Sequence, residues 1–164
     1  MNVSLSNDDI MKVLKGHTKI IPYNEISKYN SIEEILHPYG SAVILYLTDK
    51  SYGHWVGLIK HNNNHVEHFD SYGYTPDDEF SFIDKSSRTK YNYRGRPYLS
   101  TLLSKFKGTV EYNHDKLQGS SNQIATCGRH CCLRILCKSI PLKQYVSMVK
   151  KFNPDKLVVE LIKI

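Results

Sequence analysis

The spacing of apolar residues changes along this chain and marks out its elements. Residues 42–48, AVILYLT, are short, continuous, apolar and β-branched, which is the signature of a central strand buried on both faces. Residues 54–60 (HWVGLIK) and 65–70 (HVEHFD) read as two more strands joined through an Asn-rich hairpin loop. A helix is predicted over 6–14, capped by Ser6 or Asn7 with acids in its first turn. Ser31-Ile32-Glu33-Glu34 is a capping-box pattern that opens a short helix ending before Pro38. Residues 97–106 read as a helix with Pro97 at its first position, and 108–112 as a further strand. The apolar run 127–138 reads as a buried helix, and 141–152 and 154–164 as two terminal helices. Residues 71–96 and 113–126 read as loop, and no repeat or linker divides the chain. The order is helices, three strands, helix, strand, helices: an α+β domain spanning 1–164, with a small mixed sheet flanked by helices.

Composition adds limits rather than a fold. A chain of 164 residues with 40% hydrophobic and 23% charged residues can bury a core of its own. No apolar run approaches the ~18 residues a membrane helix needs, and the N-terminus has acids where a secretory signal has an apolar stretch. The net charge of +6, from 22 Lys and Arg against 16 Asp and Glu, favours polyanions such as DNA. Lys85, Arg88, Lys90, Arg94 and Arg96 alternate with Tyr91, Tyr93 and Tyr98, a mixture suited to phosphate contact and base stacking, and equally to a solvated loop or the lining of a cleft. All four cysteines fall between 127 and 137 on one predicted helix, so they cannot cross-link distant segments, and a reducing compartment fits better than secretion. No metal site is expected. Cys127 and Cys131 lack a partner pair, and His65 and His68 would point to opposite faces of a strand.

The segment QGSSNQIATCGRHCCLRIL, 118–136, carries the candidate chemistry. It sets Cys127 at a helix N-terminus, where the helix dipole and unpaired N–H groups favour a thiolate. A nucleophilic thiol needs a histidine, and the histidine needs an acceptor to fix its tautomer. His54 opens one strand and Asp70 closes the next. With a three-residue loop at 61–63, His54 would lie opposite Asp70, Val56 opposite His68, Leu58 opposite Val66 and Trp55 opposite Phe69. The geometry therefore calls for an odd-length loop or a bulge. The Cys127 N–H and a side-chain amide, Gln118 or Gln123, are candidate oxyanion donors.

Gly53-His54-Trp55, then Phe69-Asp70-Ser71-Tyr72-Gly73, Leu117-Gln118-Gly119 and Thr126-Cys127-Gly128-x-x-Cys131-Cys132, in this order, resemble the adenovirus-type (adenain-like) maturation protease of the SUMO-protease-like cysteine peptidase superfamily. The resemblance covers roughly residues 40–137. It implies a papain-like cysteine protease core with His54 as general base, Asp70 as orienting acid, Cys127 as nucleophile and Gln118 as the oxyanion-hole side chain. Gln118 stands farther from Cys127 than the family's glutamine does, so the loop carries an insertion or Gln123 takes the role. Gly53, Trp55 and Gly128 would form the wall of the site.

The resemblance further implies a virus of the virophage, Polinton-type or large DNA virus kind as source. The expected activity is a viral endopeptidase that cleaves capsid or core precursors as the virion matures, acting as a monomer in the virion and virus factory. No cofactor is required, no membrane is a partner, and DNA is a candidate activator. The family's disulfide-linked peptide activator is not expected, because no cysteine precedes Cys127. The competing readings are a deubiquitinase or SUMO-protease-like isopeptidase, a related acyltransferase, and a catalytically inactive DNA-associated virion protein.

Overall fold

The computed structural model describes residues 4–47, 53–78, 97–121 and 124–164. Among them the order is α1 (Asn7–Val13), β1 (Lys19–Pro22), a 3₁₀ turn (Tyr23–Lys28), α2 (Ile32–Leu36), β2 (Ser41–Leu47), β3 (Gly53–Asn62), β4 (His65–Phe69), α3 (Tyr98–Ser104), β5 (Thr109–Tyr112), α4 (Cys127–Leu136), α5 (Leu142–Val149) and α6 (Pro154–Leu161). The strands adjoin in chain order in one five-stranded sheet. The two inner pairings are antiparallel and the two outer ones parallel. The α+β class and the mixed sheet flanked by helices are as the hydrophobic pattern predicts, but the sheet has one strand more. β1 is four residues closed by Pro22, too short to display a period, and its place comes from pairing with β2.

β2 explains its own continuous apolar run. Ala42, Ile44 and Tyr46 enter one cluster with Val56, Leu58 and Val66, covered by the 3₁₀ turn, α2 and α3. Val43 enters the other with Trp55, Ile59 and Phe69, covered by α1, α4, α5 and α6. Burial on both faces removes the polar alternation a one-sided strand would show. Helix starts follow local chemistry. Ser6 and Asp9 complete a reciprocal capping box at α1. Ser31 accepts from Glu34 N–H at α2, while the Glu34 carboxylate reaches back one residue further, to Asn30 N–H. Pro97 sits at the N-cap of α3 rather than at its first helical position.

α4 is buried along its length except at Leu136. Its C-terminal half is fixed by Arg134, which clamps the Glu67 carboxylate of β4 through Nε at 2.9 Å and Nη2 at 2.8 Å, both side chains being fully buried. Its first turn lies close on β3: a Cβ at Gly128 would come within 3.1 Å of both Trp55 Cδ1 and Leu5 Cβ. No helix among the described residues is long and apolar enough to cross a membrane.

The β3–β4 register differs from the predicted one by two positions. Leu58, not Val56, lies opposite His68, Gly57 opposite Phe69, and Lys60 opposite Val66. The reason is that β3 runs on to Asn62 and turns through only two residues, with a bulge between Lys60 and Asn62 absorbing the extra residue. A shift of two preserves the face on which each side chain lies. His54 and Asp70 therefore still meet, but on a diagonal, and continuing the register places Tyr72 across from His54.

Candidate active site

His54, second residue of β3, and Asp70, just beyond β4, are brought together at one end of the sheet. His54 Nε2 lies 2.9 Å from Asp70 Oδ1, which also accepts the Tyr72 N–H at 2.8 Å. Asp70 is fully buried, and Asn113 Nδ2 donates to its main-chain carbonyl at 2.6 Å. The Tyr72 ring stacks on the imidazole with centroids 4.9 Å apart. Because Nε2 is held by Asp70, Nδ1 is the ring nitrogen left to meet a thiol.

That thiol is Cys127, the first residue of α4. Burial alone would raise its pKa, but the hydrogen bond and charge of His54, with the N–H groups of Trp55 and Gly128, outweigh burial and hold it below the ordinary thiol value. The Trp55 N–H lies 3.5 Å from Sγ. For His54 burial works the other way, disfavouring the cation. The Asp70 carboxylate, first by charge and then by hydrogen bond, and Cys127 after it, overcome that penalty and raise the imidazole well above its ordinary value. The two directions together describe a pair that favours thiolate and imidazolium. The other helix cysteines do not share this. Burial raises the Cys131 thiol well above its ordinary value and the Cys132 thiol to about 12.

Gln118 is buried, and its amide is oriented by the residue that follows Asp70. Ser71 Oγ donates to Gln118 Oε1 at 2.7 Å, and the Ser71 carbonyl accepts the N–H groups of Leu117 and Gln118. The amide oxygen is thus engaged by a donor, and Nε2 donates in a long 3.4 Å contact to the Ile124 carbonyl. Gln123 lies outside the described residues, as do Lys85, Arg88, Lys90, Arg94 and Arg96.

Sequence reasoning missed the residue that ties these pieces together. Asp155, in the first turn of α6, accepts the Gly119 N–H on Oδ2 at 2.9 Å, and both the Thr126 hydroxyl at 2.6 Å and His130 Nε2 at 3.0 Å on Oδ1. Burial opposes its charge, but these three bonds hold its carboxyl below the usual range. One carboxylate therefore joins the residue after Gln118 to the residue before Cys127. Thr126, turned toward Asp155, makes no side-chain cap on α4, and the first-turn N–H of Gly128 is among the groups that lower the thiol. An acid after Asn153-Pro154 reads simply as a helix N-terminus, so nothing in the sequence marked this role.

The proposed wall residues divide. Trp55 is 4% exposed, and its indole N–H is bound by the Leu5 carbonyl, so the ring backs the site from within the core. Gly53 admits β3 beside β2, where a Cβ would lie 2.7 Å from the Tyr46 carbonyl. Tyr72 is the ring that stacks on His54. His68 is fully buried, with no hydrogen-bond partner for either ring nitrogen among the described residues, and burial lowers it to about 4, so it stays neutral beneath the site.

No family model matches this chain. It is 40% identical over 162 residues, 95% of this chain and 92% of the other, to "Uncharacterized protein V9" of Sputnik virophage. The fold superimposes on the crystal structure of the ASFV pS273R protease with a TM-score of 0.54, at 14% identity, over 98% of this chain and 68% of that one. A looser superposition on the SUMO protease Ulp1 has a TM-score of 0.39 at 16% identity, over 98% of this chain and 80% of that one.

Proposed function

The chain belongs to the family of the Sputnik virophage protein V9, and on that footing we propose that it is a viral cysteine endopeptidase acting on capsid or core precursor proteins. One observation carries the reading: a buried cysteine at the start of a helix, beside an imidazole whose far nitrogen is fixed at 2.9 Å by a fully buried carboxylate. The fold shared with a protein named as a viral protease supports it.

In this mechanism His54 holds the Cys127 proton on Nδ1 while Asp70 keeps Nε2 as a donor. The Cys127 sulfur attacks the scissile carbonyl carbon. The resulting oxyanion takes hydrogen bonds from the Cys127 N–H and Gln118 Nε2. His54 then gives its proton to the departing amine, leaving a thioester. The same imidazole removes a proton from the water that releases the acid and restores the thiol. By family resemblance the substrate carries small residues, Gly or Ala, near the cut. The positive net charge supports DNA as an activator.

The test is incubation of the purified chain with the structural proteins of its own virus. The cut sites should match the N-termini of the mature virion proteins, and duplex DNA at low salt should speed cleavage. Absence of any iodoacetamide-sensitive peptide hydrolysis would sink the reading. Labelling of Cys127 by a ubiquitin-based probe, with precursors left intact, would favour the isopeptidase instead.

Asp155 supplies a further expected result. Asp155→Ala should lower kcat by about 10²-fold, the scale of a roughly 1 Å misplacement, with a smaller change in KM. Alkylation of Cys127 by iodoacetamide should slow far less, because that reaction needs the thiolate but no placed oxyanion donor. Equal loss in both assays would mean that the whole helix start has collapsed.

A further inference from the structure

We propose that His61, His65 and Glu111 form a binding site for a divalent transition-metal ion of the zinc class, at the end of the sheet remote from Cys127. The three residues come from three adjoining strands, β3, β4 and β5. All are partly buried, and one ligand atom from each lies within 4.8 Å of the others. Strand geometry explains the convergence. His65 and Glu67 stand two apart on β4 and share a face, and Glu67 pairs with Glu111 on β5. His61 sits in the bulge between Lys60 and Asn62, where its ring comes to 4.7 Å from that of His65, centroid to centroid.

The surroundings are those of a metal ligand set rather than of a loose surface cluster. His61 Nε2 is held by Glu67 Oε1 at 2.8 Å, and Glu67 is itself fully buried and clamped by Arg134. A carboxylate on one ring nitrogen fixes the orientation and raises the basicity of the other, as it does for metal-bound histidines. His65 Nε2 and Glu111 Oε1 lie 2.9 Å apart in a hydrogen bond. Two atoms each bound at ~2.0–2.1 Å to a tetrahedral ion stand only slightly farther apart. Two imidazoles and one carboxylate select the zinc class, because calcium and magnesium require more oxygen ligands. Three protein ligands leave the fourth position to water. The ion would clamp the β3–β4 hairpin to β5, the edge strand of the sheet. Sequence spacing set His65 and His68 on opposite faces of a strand and so gave no expectation of a metal site; the set is drawn instead from three adjoining strands, and His68 lies in the core.

The inference is independent of the peptidase reading and is tested by binding alone. The full chain carrying Cys127→Ala, which removes the thiolate able to capture zinc elsewhere, is stripped with chelator and titrated with zinc chloride by calorimetry. One equivalent should bind, and zinc should raise the melting temperature. His65→Ala and, separately, the milder Glu111→Gln should each weaken binding by at least tenfold and cancel the thermal shift. No stoichiometric binding, or binding unchanged in Glu111→Gln and His65→Ala alike, overturns the proposal.

Discussion

Replacing Cys127 with alanine is expected to lower precursor cleavage by at least ~10⁴-fold while the protein stays folded, because the substitution removes the one sulfur that can attack the carbonyl and disturbs little else. Serine should not rescue it. The groups around position 127 tune a thiol, and a hydroxyl remains protonated where the thiol ionises. The pH dependence separates this account from a merely accessible cysteine. With its thiol held low by His54, Cys127 should react with iodoacetamide well below the ~8.5 at which an unperturbed cysteine ionises. The sign follows from the partner. Above its raised pKa the imidazole loses its charge and its support for the thiolate, and below the lowered thiol pKa the sulfur is protonated. In His54→Ala the alkylation limb should move to higher pH, with a rate loss near neutrality of about tenfold per unit of thiol shift. An unchanged limb would show that the imidazolium is not what lowers the thiol.

How far this site was legible depends on which residues speak locally. Cys127 announces itself because a polar loop meets an apolar helix there, and His54 and Asp70 because each ends a strand. The face shared by those two was readable from period alone, and the two-position register error did not damage it, since faces repeat every second residue. The bulge itself was not readable. It depends on β3 running two residues further than its apolar pattern, into polar Asn-rich sequence. β1 was invisible because four residues cannot show a period. Asp155 and Tyr72 were missed for another reason: each has an ordinary local role, helix-start acid and loop aromatic. Their contacts with Thr126, Gly119 and His54 exist only once distant segments have packed.

The second large effect lies at the other end of α4. Arg134→Met should destabilise the protein by about 3–5 kcal/mol, because it leaves the Glu67 carboxylate buried without its guanidinium partner. For a chain of this size that corresponds to a fall of roughly 6–20 °C in melting temperature. Part of the loss is unrelated to charge. Arg134 Nη1 also donates to the Cys137 and Ile140 carbonyls, closing the turn between α4 and α5, and the guanidinium lies 4.9 Å from the centre of the Tyr145 ring. The double change Glu67→Gln with Arg134→Met discriminates between these terms. A buried ion pair costs much of its attraction in desolvation, so removing both charges should recover most of the stability, while the turn bonds stay lost. Thermal or urea unfolding of the two single variants and the double variant measures the split through a mutant cycle. If the double variant is no better than Arg134→Met, then the turn bonds, and not the loss of the guanidinium from the Glu67 carboxylate, account for the hold on the helix that presents Cys127.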